Sequence, residues 1–194
     1  MKKAMFNDEV GLTDAVLDRQ KTLTRRVIPS KIIDRYGVNR HTFEARRRDL
    51  ELASPWRVGD VLAVAQPYSR IMHWREEAPK DLVQHAGFSN KMFVDPELMP
   101  HRIRITGVRV EQLQDITDED CLREGIIFEA DRPVASFGFY GQAYITRQGT
   151  MKQRSWWFAT PRDAFRKLIG KVCGKGTWEE NPYVYVYEFE LIRR

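Results

Sequence analysis

The residues best suited to chemistry lie in one short segment near the N-terminus, Lys21-Thr22-Leu23-Thr24-Arg25-Arg26. Thr24 carries a hydroxyl that can attack a carbonyl carbon when a base lies within hydrogen-bonding reach. Lys21 can supply that base if its pKa falls towards neutrality, which burial and the neighbouring cations Arg25 and Arg26 would promote. The segment therefore holds a candidate nucleophile and a candidate base. A solvated basic turn without a catalytic role is the alternative.

A predicted helix and a predicted strand must position this segment. Thr13 is a good N-cap, so a short amphipathic helix is predicted to precede Lys21. Pro29 follows three residues after the segment, which indicates an extended chain there. Lys21 and Thr24 would face opposite sides of a regular strand, because side chains alternate. A corner between helix and strand would allow both side chains to enter one pocket.

Glu124 is a second candidate, because it breaks a local rule. A short helix is predicted from the N-cap Thr117, through three acidic residues in the first turn, to Gly125 just beyond its end. An acid in the last turn faces the negative end of the helix dipole, where a cation is preferred. Residues that violate local rules are found more often than others at functional sites. An exposed glutamate that the helix merely tolerates is the alternative.

Composition predicts a single domain over residues 1–194. Its apolar fraction of 42% and charged fraction of 30% are typical of soluble globular proteins. The sequence has no apolar run of about 20 residues and no secretion signal after Met1, so we expect a cytoplasmic protein without a membrane partner. Cys121 and Cys173 are far apart, and the four histidines show no ligand spacing, so neither a metal nor a cofactor is expected.

The charge balance is compatible with an anionic partner such as RNA or a nucleoside. Lys and Arg number 32 against 27 Asp and Glu, which gives a net charge of +5. Outside the first segment, basic residues cluster at Arg46-Arg47-Arg48 and at Arg102 and Arg104. Such clusters either contact phosphates or form solvated surfaces, and the sequence leaves both interpretations open.

The strand patterns predict an α+β fold, a small mixed β-barrel with flanking short helices. Alternation over 102–111 changes phase at Gly107, as a β-bulge or a break between two strands would produce. Residues 183–192 are apolar on both faces at their start, which predicts a central strand. Residues 30–56 and 126–159 are interpreted as insertions. A further helix is predicted from Pro161 to just before Gly170.

Four segments, in this order, resemble the ASCH family of the PUA-like superfamily, in the larger version found in bacteriophages and prophages. The segments are 21–26, 58–62, 113–125 and 178–185.

The resemblance implies a PUA-like β-barrel whose cleft suits RNA or a modified nucleoside. One branch of the family consists of amidohydrolases that cleave N4-acetylcytidine, and Lys21, Thr22, Thr24, Arg26 and Glu124 match its motif. By that resemblance, Thr24 is the nucleophile, Lys21 the base and Glu124 the proton donor. Thr22, Arg25 and Arg26 are predicted to bind the nucleic acid or substrate.

Two features depart from the family pattern, and two alternatives stand beside the catalytic interpretation. Arg19-Gln20 stands where the family commonly has a small glycine before its Lys-Thr pair, and the chain is longer than the compact enzymes. A purely structural ion pair between Lys21 and Glu124 is the alternative to the catalytic interpretation. A non-catalytic adaptor that binds nucleic acid or protein is the alternative function.

Overall fold

The computed structural model describes residues 1–71, 80–132, 136–146 and 150–193, and the fold is α+β with two β-sheets. The strands are β1 Lys2–Ala4, β2 Leu23–Val27, β3 Val61–Val64, β4 His101–Gln112, β5 Ile127–Glu129, β6 Ser136–Ile145, β7 Met151–Phe158 and β8 Tyr183–Arg193. The larger sheet has five strands in the order β1, β3, β4, β8 and β2. β1 is parallel to β3, and the other neighbouring strands of this sheet are antiparallel.

The long central pair β4 and β8 confirms two predictions. The register between these strands shifts between Ile105 and Gly107, as expected for a bulge within one continuous strand. β8 lies between β4 and β2, so both of its edges are paired and it is central. The buried residues Val184 and Val186 on one face, and Tyr185 and Tyr187 on the other, explain the apolar pattern at its start.

The larger sheet is open within the described residues, so the predicted closed barrel is not confirmed. Closure would require the edge strands β1 and β2 to pair with each other, and they are not neighbours in the sheet. A side chain links the two edges instead, because Nη2 of Arg26 in β2 donates a hydrogen bond to the carbonyl oxygen of Met5 over 2.7 Å. The free edge of β2 is consequently available to border a cleft.

The second sheet lies in the predicted insertion 126–159 and has three antiparallel strands, β5, β6 and β7. Its aromatic residues mainly fill space. Phe139 is buried, and its ring stacks on that of Trp156 with 5.0 Å between centroids. This pair packs against the main core, so these rings are not exposed platforms for a nucleobase.

Eight helices flank the sheets within the described residues: α1 Leu12–Leu17, α2 Ser30–Arg35, α3 Phe43–Leu52, α4 Tyr68–Ile71, α5 Lys80–Gln84, α6 Asp118–Arg123, α7 Pro161–Val172 and α8 Thr177–Glu180. The predicted cap of α1 is wrong, because Thr13 lies inside the helix, and Gly11 in a left-handed conformation precedes it. The predicted end of α7 is also wrong, because the helix continues through Gly170 to Val172.

The main core lies between the larger sheet and the helices α1, α6 and α7. Its largest apolar side chains from these elements include Leu23, Ile103, Ile105, Phe165 and Leu168. A smaller cluster around Tyr68 and Met99 supports the predicted irregular region 67–100, which contains short helical turns. His73 lies outside the described residues. No helix in the described part of the chain has the length and apolar character needed to cross a membrane.

Candidate functional site

Lys21 and Glu124 are in direct contact inside the protein. Lys21 follows α1, and its backbone N–H donates to the carbonyl oxygen of Ala15 over 2.9 Å, which turns the chain towards β2. The Lys21 side chain is 1% exposed, and that of Glu124 is 5% exposed. Nζ of Lys21 donates to the Glu124 carbonyl oxygen over 2.9 Å and also binds its carboxylate. The helix-to-strand corner therefore directs Lys21 into the protein.

The end of α6 holds Glu124 in this position. Thr117 caps the helix as predicted, since its hydroxyl accepts a hydrogen bond from the backbone N–H of Asp120. Gly125 then takes a left-handed conformation with φ of 101°, which ends the helix beside α1. The Lys21 ammonium group lies at the negative end of the helix dipole. It therefore offsets the unfavourable position of the Glu124 carboxylate.

Burial is the largest influence on Lys21 and lowers its pKa. Glu124 opposes this effect, because a neighbouring carboxylate favours the charged ammonium form. Arg26 and Arg25 lower the pKa further by charge repulsion. The net direction is downward, so Nζ releases its proton more readily than an ordinary lysine does, which is the direction that a general base needs.

The Arg25 side chain points into a cluster of carboxylates rather than towards solvent. Its Nη2 donates to Glu111 over 2.6 Å and to Asp120 over 2.7 Å, and its Nη1 donates to Glu124 over 3.2 Å. The side chain is 1% exposed. Arg25 was predicted to bind substrate, but this guanidinium is inaccessible to a ligand in the observed conformation. It instead neutralises the acids around the Lys21 pair.

Sequence reasoning missed the outer part of this ionic network. Arg109 donates to Glu111 over 3.1 Å and to Glu188 over 2.7 Å, and it also binds Asp120. Arg123 donates to the other oxygen of Glu188 over 3.1 Å. The sequence did contain one indication of this network, because Arg109 and Glu111 alternate onto the same face of β4. Acids in the first turn of a helix also favour the helix dipole, and that local preference does not reveal long-range partners.

Thr24 lies on the other face of β2 from Arg25, because consecutive side chains of a strand alternate. It lines a cleft of about 490 Å³ along the free edge of β2 and is 6% exposed. Among the described residues, no hydrogen bond joins Thr24 Oγ1 to Lys21 or Glu124. The structure thus brings two of the three predicted catalytic residues into contact and places the third in a cleft whose lining includes neither Lys21 nor Glu124.

The cleft has mixed polar and apolar walls. They come from the chain after β1, the edge of β2, and the region from the end of α7 through α8. The lining residues other than Thr24 are Met5, Phe6, Asn7, Leu12, Arg25, Arg26, Val27, Val172, Cys173, Thr177, Glu180 and Pro182. A cavity of this size can hold a small organic molecule.

Arg26 borders the cleft, as the prediction of a substrate-binding role requires. Its guanidinium lies 4.9 Å from the ring centroid of Trp56, which fixes its orientation. Nε of Arg26 is buried without a hydrogen-bond partner among the described residues, and burial lowers the pKa of this group. Arg26 also lines a neighbouring cavity of about 380 Å³. It is therefore the one predicted cation with an unused donor beside the cleft.

Thr22 was predicted to bind substrate, but its groups are engaged with α6. Its backbone N–H donates to the Arg123 carbonyl oxygen over 2.9 Å, and its hydroxyl accepts from Nε of Arg123 over 3.4 Å. These bonds attach the start of β2 to the end of α6. Thr22 thereby helps to hold Lys21 against Glu124.

Comparisons of the chain with models of protein families, with curated proteins and with solved structures found no match.

Within the described ranges, no group of three or more His, Cys, Asp or Glu side chains is arranged to hold a metal ion.

Proposed function

We propose that this chain is a cytoplasmic ASCH protein of the PUA-like superfamily that binds RNA or a modified nucleoside and hydrolyses an exocyclic amide. N4-acetylcytidine, which would yield cytidine and acetate, is the substrate of choice. The observation that carries the proposal is the buried contact between Lys21 and Glu124, immediately before the strand that presents Thr24 to a cleft. Two residues of the motif that are separated by 103 positions in the chain are in direct contact, which supports the proposal.

In the proposed reaction, Thr24 Oγ1 attacks the carbonyl carbon of the amide. Lys21, as a neutral amine, accepts the hydroxyl proton, and Glu124, as a carboxylic acid, donates a proton to the departing nitrogen. The carbon–nitrogen bond breaks, the free amine leaves, and the acyl group remains on Thr24 as an ester. Water then cleaves this ester, releasing the carboxylate and restoring the hydroxyl.

The Lys21–Glu124 pair can supply both proton transfers because its two members share one proton. With that proton on Glu124, the pair offers a base and an acid together, and acylation converts it into the ordinary ion pair. During deacylation, Glu124 accepts a proton from water and Lys21 returns one to Thr24. Burial lowers the pKa of Lys21, which favours release of this proton by the Lys21 amine.

Arg26 is the residue proposed to orient the substrate. Its buried Nε is a donor without a partner among the described residues, and it borders the same cleft as Thr24. An acceptor on the ligand, such as a carbonyl or phosphate oxygen, would satisfy this donor. A ligand bound to Arg26 in this way would have its amide held in a fixed position relative to the Thr24 hydroxyl.

Binding without hydrolysis is the second candidate function, and a specific observation favours it. Lys21 is already bonded to Glu124, whereas no hydrogen bond joins Lys21 to Thr24 within the described residues. In that case the ion pair stabilises the corner between α1 and β2, and the cleft serves an RNA-binding adaptor. Catalytic hydrogen bonds often tighten only when substrate is bound, so both candidates need a direct test.

The test is turnover of N4-acetylcytidine, with cytidine measured by chromatography. Wild type should produce cytidine, and Thr24→Ala should reduce the rate by more than about 10³-fold, because the nucleophile acts as a unit with its base. Thr24→Ser should retain part of the activity. Thr150→Ala, which removes an exposed hydroxyl outside the cleft, is the matched control.

Two results would contradict the proposed reaction. Equal rates for wild type and Thr24→Ala would exclude Thr24 as the nucleophile. A folded wild type that binds the nucleoside without producing cytidine would leave the binding function alone. Thermal unfolding of each variant distinguishes loss of the reaction from loss of the fold.

A further inference from the structure

A second concave surface lies on the solvent side of α7, next to the cleft. This surface, here called the α7 groove, has a volume of about 740 Å³. Its lining residues are Phe158, Asp163, Arg166, Lys167, Gly170, Lys171, Gly174, Lys175, Gly176, Trp178 and Glu179. Those on the helix recur every three or four positions, so they form one exposed face, opposite the buried face that contains Phe165 and Leu168.

The α7 groove holds lysines whose charge is not neutralised. Of its two acids, Glu179 is paired with Arg166, whose Nε donates to it over 3.1 Å. Asp163 accepts a hydrogen bond from the Thr160 hydroxyl over 2.7 Å and keeps its negative charge, so the four cations of the groove exceed its acids. Three exposed lysines form no ion pair with any acid in the described part of the chain. They are Lys167, Lys171 and Lys175. The groove is therefore a concentrated source of positive charge.

In the basic clusters that the sequence suggested, most arginines have an acid partner, and Arg48 is the exception among the described residues. Arg46 is paired with Asp49 at 3.3 Å, Arg47 with Glu51 at 3.4 Å, and Arg104 with Glu190 at 3.1 Å. Each pair is exposed, and a neighbouring carboxylate reduces the attraction of the cation for a phosphate. Unpaired cations in a concave surface are better placed to bind a polyanion.

Gly170 leaves part of the groove surface without a side chain. It lies inside α7, where glycine is less favourable than alanine, yet a Cβ atom at this position would meet nothing within 4 Å. Packing therefore does not require a glycine. Its effect is to leave the helix surface open between Lys167 and Lys171, so that a ligand can approach the backbone closely.

We propose that the α7 groove binds the phosphate backbone of single-stranded RNA that enters the cleft. The connection between α7 and α8 joins the two surfaces: Lys171 and Gly174 line the groove, whereas Val172 and Cys173 line the cleft. A strand that crosses this connection can therefore contact both. The choice of RNA rests on the proposed function.

The test measures the affinity of the full chain for a fluorescent single-stranded oligoribonucleotide at several salt concentrations. Lys167→Glu/Lys171→Glu/Lys175→Glu should weaken binding at least about tenfold at moderate salt. It should also reduce the slope of log affinity against log salt by about 2, since each phosphate contact on a single strand contributes about 0.7. Arg46→Glu/Arg47→Glu/Arg48→Glu, with the same change in charge, is the matched control and should keep the wild-type slope.

A neutral variant tests the groove without changing charge. Gly170→Leu should weaken RNA binding at least about threefold by filling the approach to the helix, while its thermal unfolding remains at or above that of wild type. This variant also covers the case in which the triple charge reversal fails to fold.

The outcomes separate this inference from the proposed function. If both groove variants keep the affinity and the salt slope of wild type, the groove does not bind RNA. That result would leave the proposed nucleoside reaction unaffected. Absence of RNA binding by wild type at low salt would also overturn it. Hydrolysis of free N4-acetylcytidine, measured separately, decides the proposed function. Equal binding of single-stranded DNA would support the groove as a phosphate site while showing that it does not select the ribose.

Discussion

Lys21 and Glu124 lie 103 residues apart in the chain, yet Nζ of Lys21 donates to the Glu124 carbonyl oxygen over 2.9 Å and also binds its carboxylate. One contact connects the corner before β2 with the end of α6. The side chains are 1% and 5% exposed, so each charge depends on the other for compensation. The pair is therefore both a structural element and the proposed source of the proton transfers.

Breaking this pair should destabilise the protein. Lys21→Met should lower the free energy of unfolding by about 3 to 5 kcal/mol, because it leaves the buried Glu124 carboxylate without its closest cation. Glu124→Gln should also be destabilising. The double variant should lose less than the sum of the two single losses, since it leaves neither charge alone. Urea denaturation measures all four proteins, and additive losses would contradict direct coupling.

The stability of the protein should depend on pH through Lys21. Burial lowers the pKa of Lys21 in the folded state, so between that pKa and the unfolded value near 10.5 the unfolded chain binds more protons. The free energy of unfolding contributed by this site therefore rises with pH through that window. Below the lowered pKa, the ammonium is charged in both states and its burial is unfavourable.

The measurement compares wild type with Lys21→Met/Glu124→Gln from pH 7 upwards. Their difference in free energy of unfolding should increase with pH. Burial raises the pKa of Cys121 and of Tyr187 to about 12, which lowers stability at alkaline pH, but both proteins contain these groups. Their contributions cancel in the difference. A flat or falling difference would show that the Lys21 pKa is not lowered.

Arg25 should be more important for stability than any exposed arginine. Arg25→Met removes the cation shared by Glu111, Asp120 and Glu124, so we expect a loss of about 3 to 5 kcal/mol in free energy of unfolding. Arg46→Met, at an exposed pair with Asp49, should change it by less than about 0.5 kcal/mol. Chemical denaturation of both variants provides the comparison. Similar losses would contradict the buried network.

The two cysteines should differ in reactivity and so report on the cleft. Cys173 is exposed and lines the cleft, whereas Cys121 is buried with its pKa raised to about 12. Partial burial also raises the pKa of Cys173, so its alkylation should accelerate as the pH rises. Mass spectrometry of folded protein treated with iodoacetamide should find one modification, at Cys173.

A bulky maleimide at Cys173 should then obstruct nucleoside binding. Cys173→Ser should bind normally and resist the reagent, which controls for other targets. Modification of Cys121 at a similar rate in folded protein would contradict its burial. Unchanged binding after complete labelling of Cys173 would show that the ligand does not use this cleft.

Local patterns in the sequence determined the elements that carry the site. The phase change at Gly107 predicted the bulge in β4, Thr117 and Gly125 predicted the ends of α6, and the apolar start of residues 183–192 predicted the central strand. These features depend on neighbouring residues and on backbone geometry, which the sequence contains directly. The position of Lys21 at a corner could also be predicted, because a helix signal and a strand signal flank it.

Only the tertiary structure decided which charges are paired and which are free. Arg25 and Arg26 are neighbours of the same type, yet Arg25 lies among three carboxylates while Nε of Arg26 is buried without a described partner. Likewise, Arg46 has a nearby acid, whereas Lys167 has none among the described residues. Charges act through space, so their partners come from distant segments that local patterns do not reveal. The open sheet is also a tertiary outcome, since closure depends on how β1 and β2 meet at the edges.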